Sequence, residues 1–268
     1  MIFRLSVLLL LAAAGLSAQP GPDNSADPIV PKKRLSLFNG KNLDGWYTWL
    51  KTKHYEDPDH VFSVKDGAIR ISGTEWGGLA TSKSYKDYHL VVEWRWGGPA
   101  YDARATKARD SGVMLHARGK DGAYNGVWLE SIEAQIIEGG TGDFLMVGVE
   151  NKPSMTVDTR TGPDKQHYWQ KGGTPVTKNA GRFNWYARDV QWKDELNYRG
   201  PQDVEKPVGQ WNRYELICDG ATIKAILNGV LVNEGYNASF TSGKIQFESE
   251  GAEFWVRKVE LLPLKKKK

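Results

Sequence analysis

Tyr88-His-Leu-Val-Val-Glu-Trp-Arg-Trp96 decides the fold class. Leu90, Val92, Trp94 and Trp96 fall on one side of an extended chain; His89, Val91, Glu93 and Arg95 fall on the other. A period of two marks a strand that packs on one face. Residues 112–117, 131–138, 211–218, 222–227, 243–249 and 254–262 read the same way. Asp66-Gly67, Asp219-Gly220 and Asn228-Gly229 are the pairs that tight hairpins with positive φ prefer. No stretch carries a sustained helical period with caps. The pattern predicts an all-β chain, an antiparallel β-sandwich or jelly roll. Residues 159–207, rich in Gly, Pro, Lys and aromatics, are expected to form a long loop excursion from it.

The chain of 268 residues suits one such sandwich, expected over 35–264. Ahead of it, Arg4, the apolar run 5–14 and Gly15-Leu16-Ser17-Ala18 have the charge, length and small-residue exit of a signal peptide, placed at 1–18. The run is too short to span a bilayer. The expectation is therefore an exported, periplasmic or extracellular protein with no membrane span. Residues 19–34 read as a flexible leader and the four lysines of 265–268 as a solvated tail. The formal charge of +4 falls to +3 without Arg4 and to −1 without those lysines. The body is near neutral, which argues against nucleic acid as a partner. Cys218 is the only cysteine, so an intramolecular disulfide and a multi-cysteine zinc site are both impossible.

The strands carry chemistry on the faces opposite their apolar ones. Glu93 and Arg95 share the polar side of 88–96. Met114 and His116 alternate with Val113 and Leu115. Glu133 and Gln135 alternate with Ile132, Ala134 and Ile136, which are expected to face the core. If the three strands share a sheet, its outer face gathers Glu93, Arg95, His116, Glu133 and Gln135. Such a face is either solvated, as in ordinary sandwiches, or a polar ligand site with base, acid and hydrogen-bonding groups. Glu133-x-Gln135-x-x-Glu138 is similar in outline to the paired acids of laminarinase-like glucanases. Residues five apart fall on opposite faces unless a bulge at Ile136-Ile137 brings them back to one, and even then their backbones stand ~13 Å apart at ~3.3 Å per residue. A retaining pair needs ~5–5.5 Å. The histidines have no metal-ligand spacing, and no phosphate-binding glycine loop or serine elbow is present. No cofactor is evident.

Five further segments extend the reading. Leu37-Phe-Asn-Gly-Lys-Asn-Leu-Asp-Gly-Trp46, Asp110-Ser-Gly-Val-Met-Leu-His-Ala117, Ser131-Ile-Glu-Ala-Gln-Ile-Ile-Glu-Gly-Gly-Thr-Gly-Asp143, Trp211-Asn-Arg-Tyr-Glu215 and Ser242-Gly-Lys-Ile-Gln246 follow one another in order. Together with 88–96 they resemble the 3-keto-disaccharide hydrolase family. The resemblance implies a concanavalin-like jelly roll acting on a small carbohydrate, a 3-keto-glycoside supplied by a sugar 3-dehydrogenase upstream. It implies removal of the acidified C2 proton, β-elimination and hydration. In that scheme Glu133 or His116 is the base, Arg95 the enolate partner and Glu138 or Asp110 the acid, with a divalent metal as the alternative to Arg95. Glu93, Gln135, Asp110, Trp46 and Trp76 are then candidate substrate contacts. A non-catalytic carbohydrate-binding module and a conventional glucanase are the alternatives.

Overall fold

The computed structural model describes residues 27–265; the expected signal peptide, most of the expected leader and Lys266, Lys267 and Lys268 lie outside the described residues. Two antiparallel sheets face each other. One follows the order β16 (Val230–Gly235), β15 (Thr222–Leu227), β14 (Asn212–Asp219), β6 (Tyr88–Ala100), β18 (Ala252–Pro263), β4 (Ala68–Ile71) and β3 (Phe62–Lys65), with β1 (Leu35–Ser36) pairing β18. The other follows β13 (Gly181–Phe183), β9 (Phe144–Val147), β8 (Glu130–Ile137), β7 (Asp110–Arg118), β17 (Lys244–Ser249), β5 (Gly77–Thr81) and β2 (Trp46–Leu50). A small third sheet joins β11 (His167–Trp169), β10 (Met155–Thr161) and β12 (Thr174–Lys178). The expected loop excursion at 159–207 is therefore partly strand, since β11, β12 and β13 all fall inside it. The described residues contain no α-helix, only a 3-10 turn at Asp102–Arg104.

Alternation explains the eight-stranded sheet. In β14 and β15 every second residue is buried and the rest face water to some degree. Asp66-Gly67 and Asn228-Gly229 close their hairpins with both residues at positive φ, as the right-handed twist of paired strands requires. Between the sheets lie Val113, Leu115, Ile132, Ala134, Ile136 and Phe247 from one side and Leu90, Val92, Trp94, Trp96 and Phe254 from the other. Trp94 and Trp96 both pack on Phe254, with ring centroids 5.4 and 5.3 Å away. Each large apolar side chain buried there contributes ~1.5–3 kcal/mol.

The seven-stranded sheet departs from that pattern. Every residue of β5, β8 and β17 is buried, on both faces. Its outer face is thus covered although it carries Glu133, Gln135, Gln246 and Glu248. One cover is the β7–β8 connection, which folds back over the sheet. Trp128 donates its indole N–H to the Gly77 carbonyl (3.1 Å), and Asp121 accepts from Tyr47 (2.8 Å) and Tyr55 (2.8 Å). Beneath it a second apolar cluster forms from Tyr47, Ala80, Met114, Val127, Trp128 and Leu129. The other cover comes from the chain after β13, where Arg188 packs on Trp192 with its guanidinium carbon 4.4 Å from the ring centre.

Candidate active site

Register places the chemistry. In β7–β8 pairing Gly112 stands opposite Gln135 and Met114 opposite Glu133; in β17–β7 pairing Gln246 stands opposite Met114, so Glu248 flanks Gly112 from the other side. Gly112 lacks a side chain because none fits. A Cβ built there would lie 2.6 Å from Glu133 Oε1 and closer still to Glu248 Oε2. Two carboxyl groups therefore converge over one backbone position, close enough for each to raise or lower the other's affinity for a proton. Among the described residues no N–H or hydroxyl reaches Glu248 Oε2. Two buried carboxylates this close repel, which favours one proton held between them.

The surroundings enforce this. Burial is the largest influence on both groups and pushes both upward; the Asp110 charge pushes Glu133 further, and Arg182 opposes it. Burial raises Asp110 to about 6 against the pull of Arg104 and Arg182. Asp110 Oδ1 accepts from Gln135 Nε2 at 2.5 Å, while Oδ2 pairs with Arg104. Arg104, on the 3-10 turn, also reaches Asp194 (3.0 Å) and Glu250 (3.4 Å). Gln135 Oε1 accepts from Arg182 at 3.4 Å. Arg182 also pairs with Asp143 (3.1 Å), which holds Arg188 and takes the Trp185 N–H at 2.7 Å. Arg182 and Arg188 line a cavity of about 210 Å³ together with Tyr168, Asn184, Asp189 and Trp192. Thus a shared-proton acid pair, a third carboxylate and two guanidinium groups occupy one strip between the two covers.

Of the sequence-predicted residues, the structure brings Glu133, Gln135 and Asp110 together. Trp76 precedes β5, where continuing the register sets it across from Glu250. The expectation that Glu93, Arg95 and His116 share this face is corrected. Glu93 and Arg95 belong to β6 in the other sheet, on its far outer face. Glu93 pairs with Arg257 (2.7 Å) and Lys258 (3.2 Å), and Arg95 lies between the rings of Trp211 and Trp255. His116 leaves the alternation because its φ is +54° and the β7 register breaks between Leu115 and Arg118. Its ring turns toward the core edge, with Nδ1 on the Phe240 carbonyl (2.8 Å) and Tyr88 against it edge-on. Glu138 is a bracket: its two oxygens hold the Arg109 guanidinium (2.6 Å), the Arg109 N–H (2.9 Å) and the Asn197 N–H (3.0 Å). Trp46 is core, 5.6 Å from Phe247 and donating to the Leu37 carbonyl. Glu248, Glu250, Arg104 and Arg182 went unrecognised in the sequence. Ile245 and Phe247 alternate with Gln246 and Glu248, so parity alone could have found Glu248. The sequence has no periodic signal for Arg104. Among the described residues no group of three or more His, Cys, Asp or Glu side chains is arranged to hold a metal ion.

A two-sheet antiparallel jelly roll with a covered polar face defines the fold class. The 3-keto-alpha-glucoside-1,2-lyase-like domain matches residues 33–262, and the chain belongs to that family. Two crystal structures from Parabacteroides distasonis ATCC 8503, provisionally named as glycosyl hydrolases, share the fold. The first is 15% identical with a TM-score of 0.52, covering 90% of this chain and 100% of its own. The second is 19% identical with a TM-score of 0.50, covering 87% and 100%. No curated protein matches the sequence.

Proposed function

We propose that this protein cleaves 3-keto-glycosides by proton removal at C2, elimination at C1 and addition of water. The observation that carries the reading is the buried Glu133–Glu248 pair converging over Gly112 beside guanidinium groups, an arrangement that favours one proton between two carboxyls. A C3 ketone acidifies the C2–H. Glu133, nearer the Arg182 field, takes that proton, and the electron pair moves onto the C3 oxygen as an enolate. Arg182 is positioned to stabilise that charge. The enolate re-forms the ketone as the C1–O bond breaks, and Glu248 gives its proton to the departing oxygen. Water then adds at C1 of the enone while C2 regains a proton. The net result is hydrolysis without an oxocarbenium intermediate.

The same contact favours this reading over a conventional glucanase. A retaining pair stands ~5–5.5 Å apart with the sugar carbon between, whereas Glu133 and Glu248 converge on one point, each within 2.6 Å of a Cβ built at Gly112. The ketone has to be installed beforehand, which calls for a sugar 3-dehydrogenase upstream. The signal-like N-terminus supports an exported enzyme, periplasmic or extracellular; mature protein that still begins at Met1 would overturn that part. The decisive experiment incubates the protein with 3-keto and unoxidised disaccharides and analyses the products. Turnover of the keto sugar alone is expected, with Glu133→Gln lowering it ~10²–10⁴-fold. Equal turnover of unoxidised disaccharides would retire the ketone mechanism, and binding without turnover of either would leave a carbohydrate-binding module.

A further inference from the structure

The strip around Gly112 is asymmetric. Toward β13 it is polar: Gln135, Asp143 and Arg182 present amide, carboxylate and guanidinium groups. Toward β2 it is aromatic. Trp76 is partly exposed and lies 5.5 Å from Trp128 at 35°, and Tyr124 stacks on Trp128 at 6.3 Å and 26°. Trp128 is fixed by its bond to the Gly77 carbonyl, and the neighbouring Leu129 N–H is bound to Gln246 Oε1 (3.2 Å). Trp76 and Tyr124 are therefore the partly exposed rings on the fixed Trp128, and of the two Trp76 is the one that the sheet register ties to the acid pair. Register sets it across from Glu250 and diagonal to Glu248, two strands from Gly112. Two strands at ~4.8 Å and two residues at ~3.3 Å make the backbone offset ~12 Å, far enough for a neighbouring ring to lie against it while the reacting carbon sits over the acid pair.

We propose that Trp76, backed by Trp128, forms the leaving-group subsite and selects substrates whose departing group is a ring with a flat apolar face. The polar side reads the hydroxyls of the keto sugar; the indole takes the C–H face of a pyranose or the face of an aryl group. Glu248 lies between the two, where the departing oxygen needs its proton. This inference rests on the 3-keto-glycoside reading for its kinetic arm and is independent of it for its binding arm.

Three keto substrates separate the sources: a 3-keto-disaccharide, p-nitrophenyl 3-keto-glucoside and methyl 3-keto-glucoside. In Trp76→Ala the ratio of kcat/KM for either ring substrate to that for the methyl substrate should fall ~10-fold, carried mainly by KM; Trp76→Phe should recover most of it. A fall for only one ring substrate identifies the leaving group as sugar or aryl. An equal loss on all three substrates, or none, overturns the subsite. If no keto substrate turns over, the function fails and the subsite is still decided by tryptophan fluorescence. Wild type titrated with p-nitrophenyl glucoside should bind more tightly than with methyl glucoside, and Trp76→Ala should erase the difference. No ring preference in wild type overturns it. Melting curves establish that both variants fold.

Discussion

Glu205 offers a test of the structure that needs no substrate. It is buried, and burial pushes its carboxyl up to about 8, with the charges of Asp203 and Glu138 adding to the effect. Its two oxygens accept from the Trp96 indole (2.6 Å) and the Thr141 hydroxyl (2.7 Å), tying the core of one sheet to the turn after β8. A glutamine fits the same bonds: its carbonyl accepts from Trp96, and its amide donates to Thr141, whose hydroxyl turns to the Ile137 carbonyl already 3.2 Å away. The sign follows from linkage. The folded state holds the proton more tightly than the unfolded chain, whose carboxyl has its ordinary value near 4.5. Wild type therefore loses stability as pH rises from about 4.5 through about 8. At ~1.36 kcal/mol per unit, the loss reaches roughly 5 kcal/mol at most. Glu205→Gln should thus match wild type near pH 4.5 and exceed it by a margin that grows to pH 8. At ~2–4 °C per kcal/mol the gap in Tm approaches ~10 °C. Thermal melts of both proteins from pH 4.5 to 9 measure it. Parallel curves would refute the buried, protonated carboxyl, and a variant less stable throughout would refute the hydrogen-bond exchange.

Other outcomes follow from the site and the core. Gly112→Ala should force Glu133 and Glu248 apart, lowering turnover at least ~10²-fold and stability by ~1–3 kcal/mol; urea titration and kinetics check the two separately. Glu248→Gln removes the proton donor for the departing oxygen, so turnover should fall ~10²–10⁴-fold and a pH–rate profile should lose the limb that falls at high pH. Burial lowers His116 to about 4. The stability that depends on its neutral ring is present above pH 6.5 and is lost as pH falls through about 4. His116→Gln should flatten that part of the acid-denaturation curve. Ile132→Ala, between the sheets, should cost ~2–5 kcal/mol, read from the urea midpoint.

Alternation in residues 88–96 and 131–137 was enough to read sheets, turns and the inward set Ile132, Ala134 and Ile136, because a half-buried strand imprints its period directly on composition. Periodicity says which face a residue takes, but not which sheet. Glu93 and Glu133 have the same polar-side parity and end on opposite sides of the sandwich. His116 was lost for a different reason: one residue at positive φ shifts everything after it, and nothing in Met-Leu-His-Ala announces the bulge. Asp110 and Gln135 were found because they flank strand positions already assigned. Arg104 reaches the site from a 3-10 turn and Arg182 from the short edge strand β13, whose placements are settled by packing at long range.

The order of strands also governs when the site can exist. β17 inserts between β5 and β7, and brings Glu248 from near the end of the chain to Glu133 in its middle. Until residues 244–249 have docked, Gly112 has a carboxyl on one side only, and Glu133 faces an open strand edge with no partner for its proton. Contacts of such sequence separation form slowly, because the closure of a long loop precedes them. The proton-sharing pair is thus a late arrival in folding. A chain that stops just short of β17 retains most of both sheets' residues and only half of the acid pair, so the onset of catalysis reports completion of the sandwich.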